Sequence, residues 1–370
     1  MGAVASIAKA LAEAGTEYAE IVRGLGEASG RPSRSEECCG SAGARSASAD
    51  SAAERARAAS VTASMGTAAA PAGAAGGTAA CEPSCSAAAR QSILAHMDNL
   101  EFMQQLLAAG YGGSLKLIYI DPPFFSNADY KASVDAGTGT SGRKKLAAYS
   151  DTWQDGLAEY LEMMALRLML MRDLLADDGT IWVHLDWHGT HYVRILLDEI
   201  FGEKNFVNEI IWQYKSGGST KKHFARKHDN ILVYSKAGSY KLKLPKEKSY
   251  NRGLKPYHFK GVEEFCDDVG WYTLVNMKDV WNIDMVGRTS AERTGYATQK
   301  PEALMSRIIE CASSEGDLVA DFFCGSGTFP AVAQKNSRTW LASDQGNLAI
   351  QMCESRLATL AADYQLIVGK

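Results

Sequence analysis

Two short stretches of this 370-residue chain carry residue types that could do chemistry together. Asp121-Pro122-Pro123-Phe124 follows the apolar run Leu117-Ile118-Tyr119-Ile120. It supplies a carboxylate, two residues without a backbone N–H, and an aromatic ring. The Asp121 carboxylate and the Pro122 carbonyl can each accept one N–H of an amino group, and the prolines stiffen the turn and remove competing donors. An exocyclic amino group conjugated to a base ring is a poor nucleophile. Two acceptors pull its nitrogen toward sp³ geometry and free the lone pair, while Phe124 can stack on the ring. Taken alone, the tetrapeptide also reads as a Pro-rich turn after a strand.

The second stretch is Asp321-Phe322-Phe323-Cys324-Gly325-Ser326-Gly327-Thr328, after Leu318-Val319-Ala320. Small residues between a strand and a helix let the backbone approach a ligand, and a helix N-terminus favours an anionic group. A nucleoside triphosphate loop would be longer and end in Lys-Ser or Lys-Thr. A dinucleotide loop needs a third small residue, where this chain has Phe329-Pro330. S-adenosylmethionine has no pyrophosphate, so a shorter loop suffices. Asp344 ends the next apolar run and can accept hydrogen bonds from ribose hydroxyls. A structural glycine turn with a solvated aspartate is the competing reading of this loop by itself.

Together, and in this order, the two stretches resemble the motifs of the β-class (permuted) amino-group DNA methyltransferases, which include type II and type III modification methylases. Asp321, Phe323, Gly325, Ser326, Gly327 and Thr328 match the family's cofactor pattern. Gln299-Lys300-Pro301 matches the motif that precedes it, and Met97-Asp98-Asn99-Leu100-Glu101 a further one in which Met97 replaces a glycine. His184-Leu185-Asp186 and His228-Asp229-Asn230 match two motifs of the catalytic half. The resemblance implies S-adenosyl-L-methionine as cofactor, bound by Asp98, Lys300, Asp321, Phe323, Gly325, Ser326, Gly327, Thr328 and Asp344. It implies Asp121, Pro122, Pro123 and Phe124 as the catalytic loop, acting on a base extruded from the duplex. Adenine N6 is the target the Asp-Pro-Pro-aromatic form favours. Cytosine N4, an RNA substrate, or a non-catalytic DNA-binding subunit that kept the fold are the alternatives. Double-stranded DNA is the implied partner, and a homodimer and a cognate restriction subunit are compatible with it. The family needs no metal, so His184, His188 and His191 are not read as ligands.

The elements that must position these residues alternate between strand and helix. Strands are expected at 92–95, 115–121, 180–186, 208–214, 230–235, 318–323 and 339–344. Helices are expected at 98–109, 156–176, 191–201, 301–313, from 329, and at 347–361. Residues 125–150, with Gly137, Gly139 and Gly142, read as an irregular mobile loop. The expected fold is a doubly wound, Rossmann-like α/β sheet in permuted motif order. Its parts are a low-complexity tail over 1–90 (with an amphipathic helix at 1–27 and disorder beyond it), a catalytic half over 91–236, a target-recognition insertion over 237–297, and a cofactor-binding half over 298–370.

Charge is unevenly spread. Residues 215–260 hold thirteen Lys or Arg against two acids, a net +11, which leaves −15 for the rest of a chain of formal charge −4. Such a local excess is the footprint of a phosphate-binding surface. Lys215, Lys221, Lys222, Arg226, Lys227, Lys243, Arg252 and Lys255 are the candidate DNA contacts. The eight cysteines form no regular framework, and the spacing of Cys38, Cys39, Cys81 and Cys85 suits zinc poorly, so free thiols in a reducing cytoplasm are expected. No apolar run approaches the ~18 residues of a membrane span, and the first residues lack a signal-peptide core.

Overall fold

The computed structural model describes residues 2–29, 90–126, 128–135, 143–154, 156–215, 220–287, 289–296 and 298–369. In chain order the elements are α1 (Ala3–Ser29), β1 (Ser92–His96), α2 (Asn99–Ala108), β2 (Leu115–Ile120), β3 (Ala128–Asp135), β4 (Arg143–Asp151), α3 (Leu157–Leu174), β5 (Leu175–Leu185), α4 (Thr190–Leu197), β6 (Phe206–Gln213) and β7 (His228–Ser235). There follow β8 (Lys246–Tyr250), β9 (Phe265–Cys266), β10 (Trp271–Asn276), β11 (Val280–Asn282), α5 (Glu302–Ala312), β12 (Leu318–Asp321), α6 (Thr328–Lys335), β13 (Thr339–Asp344), α7 (Asn347–Thr359) and β14 (Tyr364–Val368).

Nine strands form one sheet in the order β11-β6-β7-β5-β2-β12-β13-β1-β14. Strand β7 runs antiparallel to both neighbours, and every other pair is parallel. Both faces are covered, which is why the central strands read as continuous apolar runs rather than alternating ones. Along β2, Leu115, Ile118 and Ile120 pack with α1, α2, α3 and α4, while Leu117 and Tyr119 pack with α5, α6 and α7. β2 and β12 are hydrogen-bonded neighbours, Leu117 opposite Val319 and Ile118 opposite Ala320. Their carboxyl ends, and so the loops after Ile120 and Asp321, therefore meet at one sheet edge. That is the crevice where an open α/β sheet takes its ligand.

Several elements depart from the sequence expectation. Residues 125–150 are not an irregular loop: β3 and β4 form an antiparallel hairpin, Ala128 opposite Asp151 and Asp135 opposite Arg143. The glycines behind the irregular reading fall between the strands, outside the described residues. α1 is not part of a tail. Ile7, Ala10 and Ala14 are buried in the core, small enough at 10 and 14 for the helix to lie close on α3, and the Tyr18 hydroxyl donates to Asp173. The disorder expected over 30–89 lies outside the described residues. β14, absent from the expectation, extends the sheet beside β1 as a half-exposed edge strand with little alternation to reveal it. Within 237–297, β8, β10 and β9 make a separate three-stranded antiparallel sheet, while β11 joins the main sheet beside β6. No helix among the described residues is long and apolar enough to cross a membrane.

Candidate active site

The chain leaves β2 at Asp121. One Asp121 oxygen, Oδ2, pairs with the Lys300 amine; the other, Oδ1, is buried and has no hydrogen-bond partner among the described residues. A buried carboxylate oxygen without a partner is costly, so its position suggests a donor that arrives from outside the chain. Lys300 also stands 5.3 Å from the centre of the Phe124 ring. After the two prolines the loop is held by a residue far along the chain. The backbone N–H groups of Phe124, Phe125 and Ser126 donate to the buried Asp151 carboxylate at 3.1, 3.1 and 2.6 Å. The Ser126 hydroxyl (2.6 Å) and the Trp153 indole N–H (2.9 Å) donate to it as well. Phe125 takes a φ of 63°, a left-handed conformation that turns three successive amides onto one anion. Asp151 is the residue holding this loop that sequence reasoning missed. Its partners are backbone amides, which leave no mark in the sequence.

Behind this loop lies a buried polar chain. The Tyr119 hydroxyl and His184 Nδ1 are 2.8 Å apart, His184 Nε2 and Asp229 Oδ2 are 3.2 Å apart, and the Tyr214 hydroxyl donates to Asp229 Oδ1 at 3.1 Å. Phe124 stacks on His184, with ring centres 6.1 Å apart and planes 25° from parallel. Burial and the charges of Asp121, Asp321 and Asp229 push the Tyr119 hydroxyl well above its usual range. Burial alone would raise Asp229, but its bond to His184, the charges of His184 and Lys300, and the Tyr214 hydroxyl leave it lowered.

The loop after β12 is built on two buried acids. Asp321 accepts the Phe323 N–H at 3.0 Å, and Asp344 accepts the Gly325 N–H at 2.9 Å and the Gly346 N–H at 2.8 Å. Burial raises both carboxyls; Asp321 lies well above the usual carboxylate range, raised further by Asp121 and Asp344 and opposed by the Phe323 N–H and Lys300. Asp98 caps α2 through the Leu100 N–H (2.7 Å) and pairs with Arg167 at 3.1 Å, and the Asn99 amide donates to the Phe322 carbonyl at 2.8 Å. Gln299 ties the approach to Lys300 by accepting the Thr294 N–H at 2.8 Å and donating to the Glu292 carbonyl at 2.6 Å.

These parts enclose a cavity of about 430 Å³. Asp98, Asp121, Pro123, Lys300, Asp321, Phe323, Gly325, Ser326, Thr328 and Asp344 all face it; Pro122, Phe124 and Gly327 are not among its walls. Gly327 is glycine for another reason. Its φ is 74°, and a Cβ there would lie 2.9 Å from Cys353 Cβ and closer still to its Sγ, so it is where the loop packs on α7. The volume, the unpartnered carboxylate oxygen of Asp121 and the other acids among the lining residues suit a nucleoside ligand with a cationic end.

The basic candidates divide. Lys221, Lys222 and Arg226 are exposed on the segment between β6 and β7; Lys227 donates to the Lys215 carbonyl at 3.4 Å, and Lys215 faces Asp284 at 3.8 Å. Arg252 and Lys255 are exposed beyond β8. The structure does not bring Lys243 to either group. Its amine donates to the Ser313 carbonyl (3.1 Å) and the Ser314 hydroxyl (2.9 Å), just before β12 begins, so it lies at the opposite edge of the sheet from Asp121. His184 and His188 face different acids, Asp229 at 3.2 Å and Asp186 at 2.6 Å; no cluster of three metal-ligating side chains occurs among the described residues. Cys38, Cys39, Cys81 and Cys85 lie outside those residues.

Residues 115–354 match the DNA methylase family of N6/N4 methyltransferases. The chain is 32% identical over 321 residues to the type II methyltransferase M.EcaI of Enterobacter cloacae, covering 70% of this chain and 68% of that protein. It is 24% identical over 295 residues to the DNA adenine methyltransferase YhdJ of Escherichia coli, covering 75% and 86%. Among solved structures, the M1.HpyAVI–SAM complex aligns at a TM-score of 0.46 and 17% identity, covering 72% of this chain and 98% of that one. The chain thus belongs to the N6/N4 DNA methylase family, the S-adenosylmethionine-dependent amino-methyltransferases of restriction–modification.

Proposed function

We propose that this protein methylates N6 of adenine in duplex DNA, after extruding the target base into the crevice at the ends of β2 and β12. The observation that carries the reading is Asp121, which lines the same cavity as the 323–328 loop and whose Oδ1 is a buried acceptor without a partner. Asp121 and the Pro122 carbonyl accept the two hydrogens of the amino group, and Phe124, backed by His184, stacks on the base. Asp344, Asp98 and the backbone at 325 and 326 hold the nucleoside part of the cofactor, with Lys300 and Asp321 toward its methionine end. S-adenosylmethionine, when bound, supplies an electrophilic methyl group on a sulfonium. Orientation of the amino nitrogen and its preorganised acceptors then supply most of the catalysis. The 237–297 region reads the sequence, with Lys215, Lys221, Lys222, Arg226, Lys227, Arg252 and Lys255 on phosphates. An aspartate at the head of the catalytic loop and the likeness to an adenine methyltransferase favour adenine over cytosine.

The test is mass spectrometry of nucleosides from unmethylated genomic DNA incubated with the protein and S-adenosylmethionine. N6-methyladenine is expected. N4-methylcytosine would move the target base and keep the chemistry, while no methylated base would overturn the reading. Asp121→Ala should abolish the product and leave DNA binding in place; a variant that methylates normally would show the site is misassigned.

A further inference from the structure

Phe224 is 98% exposed, the most exposed large apolar side chain among the described residues. Its surroundings make that exposure specific. β6 and β7 form a hairpin, Gln213 opposite His228, closed where the Tyr214 N–H donates to the Lys227 carbonyl at 3.0 Å. β6 runs parallel to β11 and, through β7, in the same sense as β5, so the hairpin's connection leaves the sheet at the edge that carries Asp121. Phe224 sits on that connection among the exposed Lys221, Lys222 and Arg226. The connection is pinned beside the catalytic loop. The Arg226 guanidinium lies 3.8 Å from the centre of the Trp187 ring, and Trp187 follows β5, the neighbour of β2. Two residues further on, a Cβ at Gly189 would lie 3.3 Å from the Phe124 carbonyl. Trp187 is itself engaged, by Arg226 and by His188 at 3.6 Å between ring centres, whereas the Phe224 ring is left in water.

Extruding a base leaves a gap in the stack, and an apolar side chain that enters it offsets the lost stacking. We propose that Phe224 is the side chain that fills this gap, held to the duplex by the basic residues on either side of it. The inference rests on the base-extrusion reading above. The cations hold the connection against phosphate, which brings the ring to the base pairs, and its π-face suits any neighbouring base.

The test uses the full chain and a duplex containing its recognition sequence, found beforehand by mapping modified bases in DNA the protein has methylated. 2-Aminopurine replaces the target base for fluorescence, and the natural base is kept for rates. Phe224→Ala should lower kcat/KM on paired DNA roughly tenfold to a hundredfold, the range of a lost aromatic–base stack. It should lower the fluorescence rise and leave cofactor affinity unchanged. Phe224→Trp should stay within a few-fold of wild type. On a duplex mismatched at the target, where the base is already loose, Phe224→Ala should recover most of its rate. Equal losses on paired and mismatched DNA, or no loss at all, would overturn the assignment of Phe224. A wild-type protein that raises no fluorescence would overturn base extrusion and this proposal with it.

Discussion

Asp151→Asn should uncouple the catalytic loop from the rest of the fold. The carboxylate accepts five hydrogen bonds, three at Oδ2 (Phe124 and Ser126 N–H, Ser126 hydroxyl) and two at Oδ1 (Phe125 N–H, Trp153 indole). An asparagine has one acceptor oxygen and turns an NH₂ toward the remaining donors. Its better orientation keeps three bonds and sets two donors against two others. At about 1.5–3 kcal/mol for each bond to a charged group, holding the loop in place would cost about 3–6 kcal/mol. The loop has a cheaper course: it can shift and give those amides to water. Global stability should therefore fall by only about 1 kcal/mol, or about 2–4 °C in Tm for a domain of this size. The shift itself falls on Phe124 and the Pro122 carbonyl, and a displacement of about 1 Å at a reacting group costs on the order of 10²-fold in rate. Single-turnover methyl transfer should thus drop by about 10²-fold, while cofactor affinity by calorimetry stays within about threefold, because Asp151 does not face the cavity. A variant that transfers methyl at near the wild-type rate would refute the reasoning. So would a loss of rate matched by an equal loss of cofactor binding.

Three further changes follow from the packing and the charges. Gly327→Ala should cost about 2–5 kcal/mol, from the left-handed φ and the overlap with Cys353; adding Cys353→Ala should return part of it, and a thermal melt in which the second change restores nothing would contradict the packing role. Asp321→Asn keeps an acceptor for the Phe323 N–H and removes a carboxyl whose folded-state pKa is raised by burial. Between the unfolded value, about 3.9, and that raised one, the folded wild type binds more protons than the unfolded chain, so its stability falls as pH rises. The variant should match wild type near pH 4 and gain in relative Tm above it; a difference independent of pH would sink the argument. His184→Leu strands the buried Tyr119 hydroxyl and takes from Asp229 one of its two partners, leaving it the Tyr214 hydroxyl, at about 3 kcal/mol in all. Combined with Asp229→Leu, the loss measured in urea should be smaller than the two single losses together, and strict additivity would deny the coupling.

What was legible in the sequence is what chemistry requires to be contiguous. A carboxylate followed at once by two residues without N–H groups, or small residues between a strand and a helix, must be neighbours in the chain, so both loops could be read directly. The buried parallel strands were legible because both faces of the sheet are covered. Partnerships between distant residues were not. Asp151 binds backbone amides 25 to 27 residues away, and Tyr119 meets His184 across 65 residues. His184 and Asp229 stood in recognisable motifs, but nothing in those motifs says that each satisfies the other. Lys243 was counted with the basic residues by position alone, and charge counting cannot tell one edge of a sheet from the other. Gly327 matched a cofactor pattern, yet its Cα faces Cys353, so a residue that matches such a pattern can owe its identity to packing.

The permuted order of the two loops has the same physical basis. β2 and β12 are hydrogen-bonded partners, although Asp121 and Leu318 lie 197 positions apart in the chain. A parallel sheet fixes which ends of its strands share an edge and is indifferent to which strand comes first, provided that the crossovers are long enough to return. The crevice then depends on three contacts between distant segments: Lys300 on Asp121, Asn99 on the Phe322 carbonyl, and Asp151 on the loop after the prolines. Two of the three act directly on the loop after β2, proposed above as catalytic, and the third steadies the chain just after Asp321. This division explains why the Asp151 and Asp321 substitutions should differ. The first disturbs geometry at the reacting group with little effect on the sheet, and the second changes the electrostatic cost of burying an acid at its edge.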